Sequence, residues 1–458
     1  MVLLATALAF RCIDQAGRVT EPRRATRWGV IGGGILGMTL ALRLSQQGKR
    51  VTLIEAAPHL GGLASAWRVG DIVWDRHYHV TLLSDSRLRN VLAELDLERE
   101  IEWAETRTGV FAGGRLYSVS NTIEMLRFPV LRWIDVMRLG ATILWASRVK
   151  DWQRLEQITV SEWLARWSGR RTYERFWLPL LRSKLGNAYT ETSAAFIWAT
   201  IQRLYAARRS GMKKEMFGTV RGGYARVLER FAERLEAGGV RTLVGAPVAR
   251  VEPASAGVAV TFKNGGTDTF DHVIVTAAAP LAARLCAGLS ADEQQRLAGV
   301  RYLGIVCASV LLRKPLAGYY ITNLLDPGLP FTGVIEMSAL VRPAQFGGRG
   351  LVYLPRYLAP EDPFFEMPDA EVETLFLDGL RRVYPGVRGE DVLAFRISRV
   401  RYVMPLPTLG YSKRVPPVDT SARGIHLVNS AHILNGTLNV NETVQLAERA
   451  AERFAAIA

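Results

Sequence analysis

The 458-residue sequence contains little cysteine and little histidine, three and six residues respectively. Cys12, Cys286 and Cys307 lie far apart and form no C-x-x-C pair, which argues against a disulfide framework and against a zinc site. An uninterrupted apolar run of about 20 residues, which a transmembrane helix requires, is also missing. These absences favour a globular protein of the reducing cytoplasm with no metal site.

The sequence also lacks the common signatures of nucleic-acid binding. Its net charge is +15, which alone would allow a nucleic acid, an anionic lipid or an anionic substrate as partner. However, it has no zinc-finger spacing, no RNA-binding aromatic signature and no concentrated basic tail. We therefore expect a small-molecule substrate and no nucleic acid.

A glycine-rich turn lies near the start of the chain. Gly32, Gly34 and Gly37 form G-x-G-x-x-G between an apolar strand and an amphipathic helix that opens with Ile35 and Leu36. The first glycine permits the tight turn, the second lets a pyrophosphate approach the backbone, and the third lets the helix pack closely on the strand. The N–H groups of the helix N-terminus attract the pyrophosphate. The pattern predicts a dinucleotide-binding turn.

An acidic residue follows at the distance such turns require. A second predicted strand, Arg50 to Ile54, leads into Glu55, about 20 residues beyond the glycines. A carboxylate there accepts hydrogen bonds from the ribose hydroxyls and repels a 2′-phosphate. NAD and FAD both satisfy the pattern up to this point.

The length and the order of predicted elements indicate two interleaved domains, because 458 residues exceed what one core usually organises. Residues 1–27 precede the first strand and are expected to form a loose extension. Their apolar start has no basic region before it, so a signal peptide is not predicted. We expect the nucleotide-binding domain in residues 28–100, 217–300 and 402–458, and the substrate domain in residues 101–216 and 301–401, with a helical insert at 122–216.

A second glycine pair distinguishes the two nucleotides. Glu55, Gly61, Gly62, Leu63 and Ala64 form E-x(5)-G-G-L-A. This pattern resembles the second glycine motif of the FAD-binding superfamily of amine oxidases, phytoene desaturases and protoporphyrinogen oxidases. Segments at 221–223, 247–252 and from 424 onward resemble later motifs of the superfamily in the same order.

The resemblance implies an α/β fold, in which a Rossmann-type FAD-binding domain is interleaved with a mixed helical and β-sheet substrate domain. It also implies FAD as the cofactor. The residues that it assigns to FAD binding are Gly32, Gly34, Ile35, Leu36, Gly37, Glu55, Ala56, Gly61, Gly62, Leu63, Ala64, His79, Val248, Asn429, Ser430, Asn441, Glu442 and Thr443.

Two histidines are candidates for chemistry at the flavin ring. His77 and His79 lie in the segment that, by the resemblance, runs past the ring. The same segment is similar to the P-H-I-F-H-T signature of UDP-galactopyranose mutase. Either histidine could hydrogen-bond the flavin or move a proton, and a plain structural role is the alternative. An H-x-H pair alone lacks the third ligand of a metal site.

Two departures from the superfamily pattern restrict the function. The strand position that carries lysine in polyamine and monoamine oxidases is matched by Cys307, which weakens oxidation of an amine. Asn429 stands where the superfamily usually has aspartate. The turn Asn439 to Glu442 looks like the D-M-D-Q turn of the mutases.

The helical insert mixes tryptophan with basic residues between Arg132 and Lys150, as helices at membrane interfaces do. One interpretation is therefore a peripheral membrane contact of a cytoplasmic protein. The alternative is a helix that packs its tryptophans on the flavin domain and leaves its arginines in solvent. Arg182 and Lys184 could meet an anionic substrate or lie on the surface.

These observations predict an FAD-dependent oxidoreductase, such as an oxidase, desaturase or dehydrogenase. It would transfer a hydride from a small apolar or alicyclic substrate to flavin N5. The alternative is a mutase-like flavoenzyme without net redox change that acts on a sugar nucleotide. A third class is a lipid- or isoprenoid-binding protein that retains FAD structurally.

Overall fold

The computed structural model describes residues 25–209 and 216–457, with the side chains of residues 206–209 excepted. The predicted loose extension falls almost entirely on residues 1–24 and so lies outside the described residues, as does Cys12.

A five-stranded parallel sheet organises the nucleotide-binding part of the fold. Helices cover the sheet, and apolar residues of the strands are buried against them. In spatial order the strands are Arg241–Leu243, Arg50–Ile54, Arg27–Ile31, His272–Val275 and Ile425–Leu427. The accompanying helices are Ile35–Gln46, Ser86–Glu94, Gly223–Ala237, Ala279–Leu285, Ala291–Gly299 and Val440–Ala455.

A seven-stranded, mostly antiparallel sheet forms the second part. One face packs on the helix Asp369–Val383, and the other faces a hairpin of the strands Ala66–Val69 and Ile72–Asp75. In spatial order its strands are Val392–Pro405, Tyr302–Leu312, Gly350–Leu358, Gly333–Glu336, Ile321–Leu324, Thr108–Ala112 and Arg115–Ser118.

Two small sheets and a helical insert complete the described fold. One sheet contains Val248–Ala254, Gly257–Phe262 and Thr267–Phe270, and the other contains Thr81–Leu82, Met216–Val220 and Ile101–Glu105. The helices of the insert are Thr122–Leu126, Trp133–Ala146, Trp152–Leu155, Val160–Ser168, Arg170–Thr172, the π-helical Tyr173–Trp177, Leu178–Leu185 and Ala194–Arg209.

The predicted fold class is confirmed, and the parallel sheet draws its strands from three separated parts of the sequence. The domain bounds stay a prediction, and strand Val392–Pro405 crosses the expected boundary between residues 401 and 402. The sequence patterns did not identify this strand or the helix Asp369–Val383. Among the described residues, no helix is long and apolar enough to cross a membrane.

Candidate functional site

The glycine turn has the geometry that its sequence predicts. Gly32 has a φ of +111°, in the region that favours glycine. A Cβ at Gly37 would lie 1.8 Å from the carbonyl oxygen of Gly32, so only glycine lets the helix approach the turn this closely. Gly34 caps the helix Ile35–Gln46 without any side chain over its N-terminus. Ile35 and Leu36 are buried beneath the turn and anchor it in the core.

The second glycine pair lies directly against this turn. The Gly61 N–H donates to the carbonyl oxygen of Gly33 at 2.8 Å. A Cβ at Gly62 would lie 3.1 Å from the Cα of Gly34, and Gly62 has a φ of +55°. The two glycine segments therefore present bare backbone side by side, which is the surface that a pyrophosphate can approach.

Glu55 is fixed beside the same turn. Its two carboxylate oxygens accept hydrogen bonds from the N–H groups of Gly33 at 2.6 Å and Ala57 at 2.7 Å. A carboxylate oxygen has more than one lone pair, so both oxygens can also accept ribose hydroxyls. Ala56 lies next to Glu55 on the surface, and Val248 is buried at the start of its strand.

The closing segment supplies a buried donor without a partner. Asn429 is fully buried, and its Oδ1 accepts the Ala431 N–H at 3.0 Å. Its Nδ2 has no hydrogen-bond partner among the described residues. A buried unsatisfied donor costs about 1–3 kcal/mol, which a ligand that accepts this hydrogen bond would recover. Ser430 follows, with its hydroxyl 3.4 Å from the Tyr302 hydroxyl.

Two residues of the helix Val440–Ala455 that are predicted to bind FAD use side-chain atoms in contacts within the chain. Asn441 Oδ1 accepts the backbone N–H groups of Arg87 and Leu88, at 3.0 and 3.1 Å, and so caps the helix Ser86–Glu94. The Thr443 hydroxyl donates to the carbonyl oxygen of Asn439 at 2.8 Å. Asn441 Oδ1 and the Thr443 hydroxyl hydrogen are therefore already used within the chain, whereas Asn441 Nδ2 and the Thr443 oxygen can still bond a ligand.

Glu442 lies partly buried in the same turn. Asn439 Oδ1 accepts its backbone N–H at 3.0 Å and thereby caps the closing helix. Its carboxylate reaches back over Gly436, where a Cβ would lie 2.8 Å from Glu442 Oε2. Burial raises the pKa of Glu442 above its usual range.

His77 is held by its two ring nitrogens. Nδ1 lies 3.1 Å from the carbonyl oxygen of Leu63, so Nδ1 carries the hydrogen. Nε2 is then an acceptor and receives the Ser398 hydroxyl at 3.1 Å. The Ser398 oxygen in turn accepts the Nε–H of Arg76 at 2.8 Å. This chain of hydrogen bonds ties the second glycine motif to the seven-stranded sheet.

His79 occupies a neighbouring buried place. Its Nδ1 donates to the carbonyl oxygen of His77 at 2.9 Å, and its ring packs on Tyr224 with 4.9 Å between centroids. Burial lowers the pKa of His77 to about 3 and that of His79 to about 4. Both rings are therefore neutral at pH 7. This favours a positioning role, while the predicted proton transfer stays a prediction.

Asp75 links the histidine segment to the glycine turn before the helix Gly223–Ala237. Its Oδ1 accepts the Tyr224 N–H at 2.6 Å, and a Cβ at Gly223 would lie 2.6 Å from that oxygen. Its carbonyl oxygen accepts the Tyr353 hydroxyl. Burial raises the pKa of Asp75 to about 7. This carboxylate is the structural reason for glycine at position 223.

Cys307 lies fully buried on strand Tyr302–Leu312, with Pro355 and Ser398 opposite it on the two neighbouring strands. Burial raises the pKa of the Cys307 thiol well above its usual range. A thiol in this state is a packing group and not a nucleophile at neutral pH.

Sequence reasoning missed Arg76, Asp75, Ser398 and the Tyr78–Tyr357 pair, whose hydroxyls lie 2.9 Å apart. Arg76 and Asp75 directly precede His77, so an adjacent pair of opposite charges before the two histidines was the available signal. Ser398 had no signal, because its position is set by the sheet register.

A Rossmann-type sheet, a double-glycine cradle and a carboxylate beside it define a dinucleotide-binding flavoprotein. A family model of flavin-containing amine oxidoreductases matches residues 37–454. The chain belongs to this family. The bare backbone at Gly34 and Gly62 and the orphaned Asn429 Nδ2 fit FAD, which is the cofactor.

Individual relatives agree with this placement. Coproporphyrinogen III oxidase of Propionibacterium freudenreichii subsp. freudenreichii is 23% identical over 465 aligned residues, which cover 86% of this chain and 83% of that protein. An engineered triple mutant of putrescine oxidase matches with a TM-score of 0.74 at 17% identity, over 95% of this chain and 99% of that one. Reduced UDP-galactopyranose mutase matches with a TM-score of 0.72 at 16% identity, over 95% and 94% of the two chains. The structural matches at these identities show the fold, and the family shows an FAD-dependent oxidoreductase.

Proposed function

We propose that the substrate is a small apolar or alicyclic molecule and that the enzyme removes a hydride from one of its carbon atoms. The observation that carries this proposal is a small, partly open pocket with a mostly apolar lining between the closing segment and the helical insert. An apolar lining favours an apolar ligand. The cavity is lined by Phe196, Met404, Pro405, Pro407, Tyr411, Ser430, Ile433, Gly436, Thr437 and Leu438.

Three titratable groups, His77, His79 and Cys307, are poorly suited to act as a side-chain base in this reaction. His77 and His79 have lowered pKa values, and each uses Nδ1 in a backbone hydrogen bond. Cys307 is a buried thiol whose pKa is raised. When bound, FAD supplies a hydride acceptor at N5. The chain's own contribution is then to hold the substrate carbon in place and to exclude water.

Anaerobic titration of the holoenzyme with candidate substrates tests the proposal. An apolar substrate should bleach the flavin absorbance, and Phe196→Ala should raise its KM because the substituted side chain lines the cavity. Leu393→Ala is the matched control, since Leu393 is exposed on strand Val392–Pro405 and does not line the cavity.

Two outcomes would refute the proposal. Turnover of a UDP-sugar that starts only after dithionite reduction would support the mutase alternative. A flavin that no apolar candidate reduces would support a binding protein that retains FAD structurally.

We also propose a peripheral contact of the helical insert with an anionic membrane surface. Trp133 is 70% exposed, Met137 is 63% exposed and Trp145 is 47% exposed, all on the helix Trp133–Ala146. The Trp145 ring stacks on that of Trp167, also exposed, with 5.0 Å between centroids. Residues 122–150 carry five basic and two acidic side chains, and the five basic ones are all exposed. Large exposed apolar groups beside cations are what an anionic bilayer surface binds.

Co-sedimentation with phosphatidylglycerol vesicles tests this contact. Wild-type protein should bind, and a Trp133→Ser, Met137→Ser double variant should bind at least about tenfold more weakly. Leu375→Ser is the control, because Leu375 is an exposed apolar residue on the helix Asp369–Val383, outside the insert. Equal binding by the double variant and the control would refute the contact.

A further inference from the structure

Arg76 is a half-buried cation beside the edge strand Val392–Pro405 of the seven-stranded sheet. Its Nε–H is used by the Ser398 hydroxyl, while its two terminal nitrogens have no hydrogen-bond partner among residues 25–209 and 216–457. Its backbone N–H donates to the carbonyl oxygen of Ser65 at 2.8 Å, just after the second glycine motif. The hydrogen bond of Nε therefore orients the guanidinium, and Nη1 and Nη2 remain free to donate to a ligand.

A second arginine shares the same aromatic ring. The Arg76 Cζ lies 5.4 Å from the centroid of the Trp67 ring, and the Arg396 Cζ lies 4.6 Å from it. Arg396 is exposed and is oriented by one hydrogen bond, from its Nη1 to the carbonyl oxygen of Arg68 at 2.7 Å. Trp67 thus holds two guanidinium groups on one indole, one half-buried and one at the surface.

The charge of this pair is not balanced by the protein. Within the described part of the chain, neither Arg76 nor Arg396 forms an ion pair with a carboxylate. Both guanidinium groups lie over the same indole, and burial, followed by the neighbouring charge of Arg396, lowers the pKa of Arg76. An arginine nevertheless keeps its proton in proteins, so the repulsion remains.

Hydrogen-bond donors also outnumber acceptors around this arginine pair. The Trp67 Nε1–H is buried without a hydrogen-bond partner among the described residues. An indole N–H and a guanidinium fork can only donate. A ligand that balances this place must bring negative charge and acceptors, and carboxylates and phosphates provide both in the planar geometry that a guanidinium binds bidentately.

We propose that Arg76, Arg396 and Trp67 form an anion-binding subsite for a small carboxylate or phosphate ligand. This inference goes beyond the proposed function and does not depend on it, because the subsite shares no residue with the apolar pocket. Arg396 is exposed, so the subsite opens toward solvent there, and Arg76 joins it to the His77 network through Ser398.

The test is a titration of the oxidised holoenzyme with succinate in one series and with inorganic phosphate in another. Sodium chloride is used to keep the ionic strength constant in each series. Binding is followed by calorimetry and by the flavin difference spectrum. We expect at least one probe to bind saturably. Arg76→Gln and Arg396→Gln should each weaken it by about tenfold or more, since each removes charge-assisted hydrogen bonds. Arg76→Lys keeps the charge but loses the fork, so it should bind between wild type and Arg76→Gln.

Arg399→Gln is the matched control. Arg399 lies on the same strand three residues from Arg396, but it is paired with Asp369 at 2.5 Å and with the Met367 carbonyl oxygen at 2.6 Å. It should leave probe binding unchanged. Because Arg396 is exposed, Arg396→Gln should fold even if Arg76→Gln does not.

Several results would overturn the subsite. These are no saturable binding of either probe, unchanged binding in Arg396→Gln, or an equal loss in Arg399→Gln. The phosphates of FAD are the alternative occupant of the subsite. The flavin-to-protein ratio of the variants distinguishes FAD phosphates from a separate anionic ligand. Loss of FAD from Arg76→Gln and Arg396→Gln would show that the arginines serve the cofactor. The titration involves no turnover, so a flavin that no apolar substrate reduces would refute the proposed function and leave this subsite standing.

Discussion

The close approach of the first helix to the glycine turn makes a testable demand on position 37. In Gly37→Ala the new Cβ would lie 1.8 Å from the Gly32 carbonyl oxygen, whereas real Cβ contacts stay beyond about 3.0 Å. The turn and the helix must therefore separate by more than about 1 Å, at the backbone that the pyrophosphate approaches. Overpacking of this kind costs about 1–3 kcal/mol. Alanine is about 1 kcal/mol more favourable than glycine in a helix, and this offsets part of the overpacking cost.

Gly140→Ala is the matched control. Gly140 lies in the helix Trp133–Ala146, and a Cβ there would meet no atom within 4 Å. This variant gains the same helix propensity without the clash, so we expect its midpoint of thermal unfolding to rise slightly. Gly37→Ala should instead lower the midpoint and weaken FAD binding by about tenfold or more, equivalent to about 1.4 kcal/mol.

Two measurements on the purified variants decide the outcome. The first is the flavin-to-protein absorbance ratio after desalting, and the second is thermal unfolding with and without excess FAD. A bound ligand stabilises the folded state in proportion to its affinity, so the FAD-induced shift of the midpoint should be smaller in Gly37→Ala than in Gly140→Ala. Equal FAD content and equal midpoints in the two variants would refute the assignment of this turn to the cofactor.

The remaining predictions concern buried titratable groups. Asp75 has a folded pKa of about 7, above its unfolded value of 3.8, so the wild type loses stability as pH rises from 3.8 to 7. Asp75→Asn should remove this loss. In chemical denaturation above pH 7, the variant should be more stable than wild type by more than about 1 kcal/mol. A variant that gains equally at pH 4 would contradict this assignment. His77 has a folded pKa of about 3, below its unfolded value of 6.5, so its contribution to stability is present above pH 6.5 and is lost as pH falls toward 3. His77→Asn should therefore flatten the plot of unfolding free energy against pH between 6.5 and 3. An unchanged plot would show that His77 is not buried in the neutral form. Burial raises the pKa of Cys286 to about 12 and that of Cys307 well above its usual range. A thiol reagent at pH 8 should therefore label neither residue in the native protein and both after unfolding in guanidinium, and rapid native labelling of Cys307 would show that its thiol is accessible and reactive.

The nucleotide end of the site could be predicted from the sequence because its chemistry is local. The glycines at 32, 34 and 37 and the strand Arg50–Ile54 lie within one βαβ unit, where spacing along the chain determines position in space. The second glycine pair needs only a short loop to return to the first. The predicted elements and the observed ones therefore agree closely here.

The ring end could not be predicted in the same way, because it is assembled across the sheet. Ser398 meets His77 over a sequence separation of 321 residues, through a strand that the sequence pattern did not reveal. Strand Val392–Pro405 mixes arginines with apolar residues on both of its faces, so it lacks the alternation that identifies a half-buried strand. Asn441 stays a predicted cofactor residue, and the structure adds a contact that its place in the motif did not indicate, because its Oδ1 caps a neighbouring helix.

The resemblance to the amine oxidases places Cys307 where they carry lysine, which suggests no cation at this strand position. However, Arg76 donates its Nε–H to Ser398, which lies opposite Cys307 on the neighbouring strand. A positive charge therefore lies beside this strand position, although a different segment carries it. Because a guanidinium keeps its proton, this cation can bind and orient an anion but cannot exchange a proton, which favours chemistry that needs no base at this point.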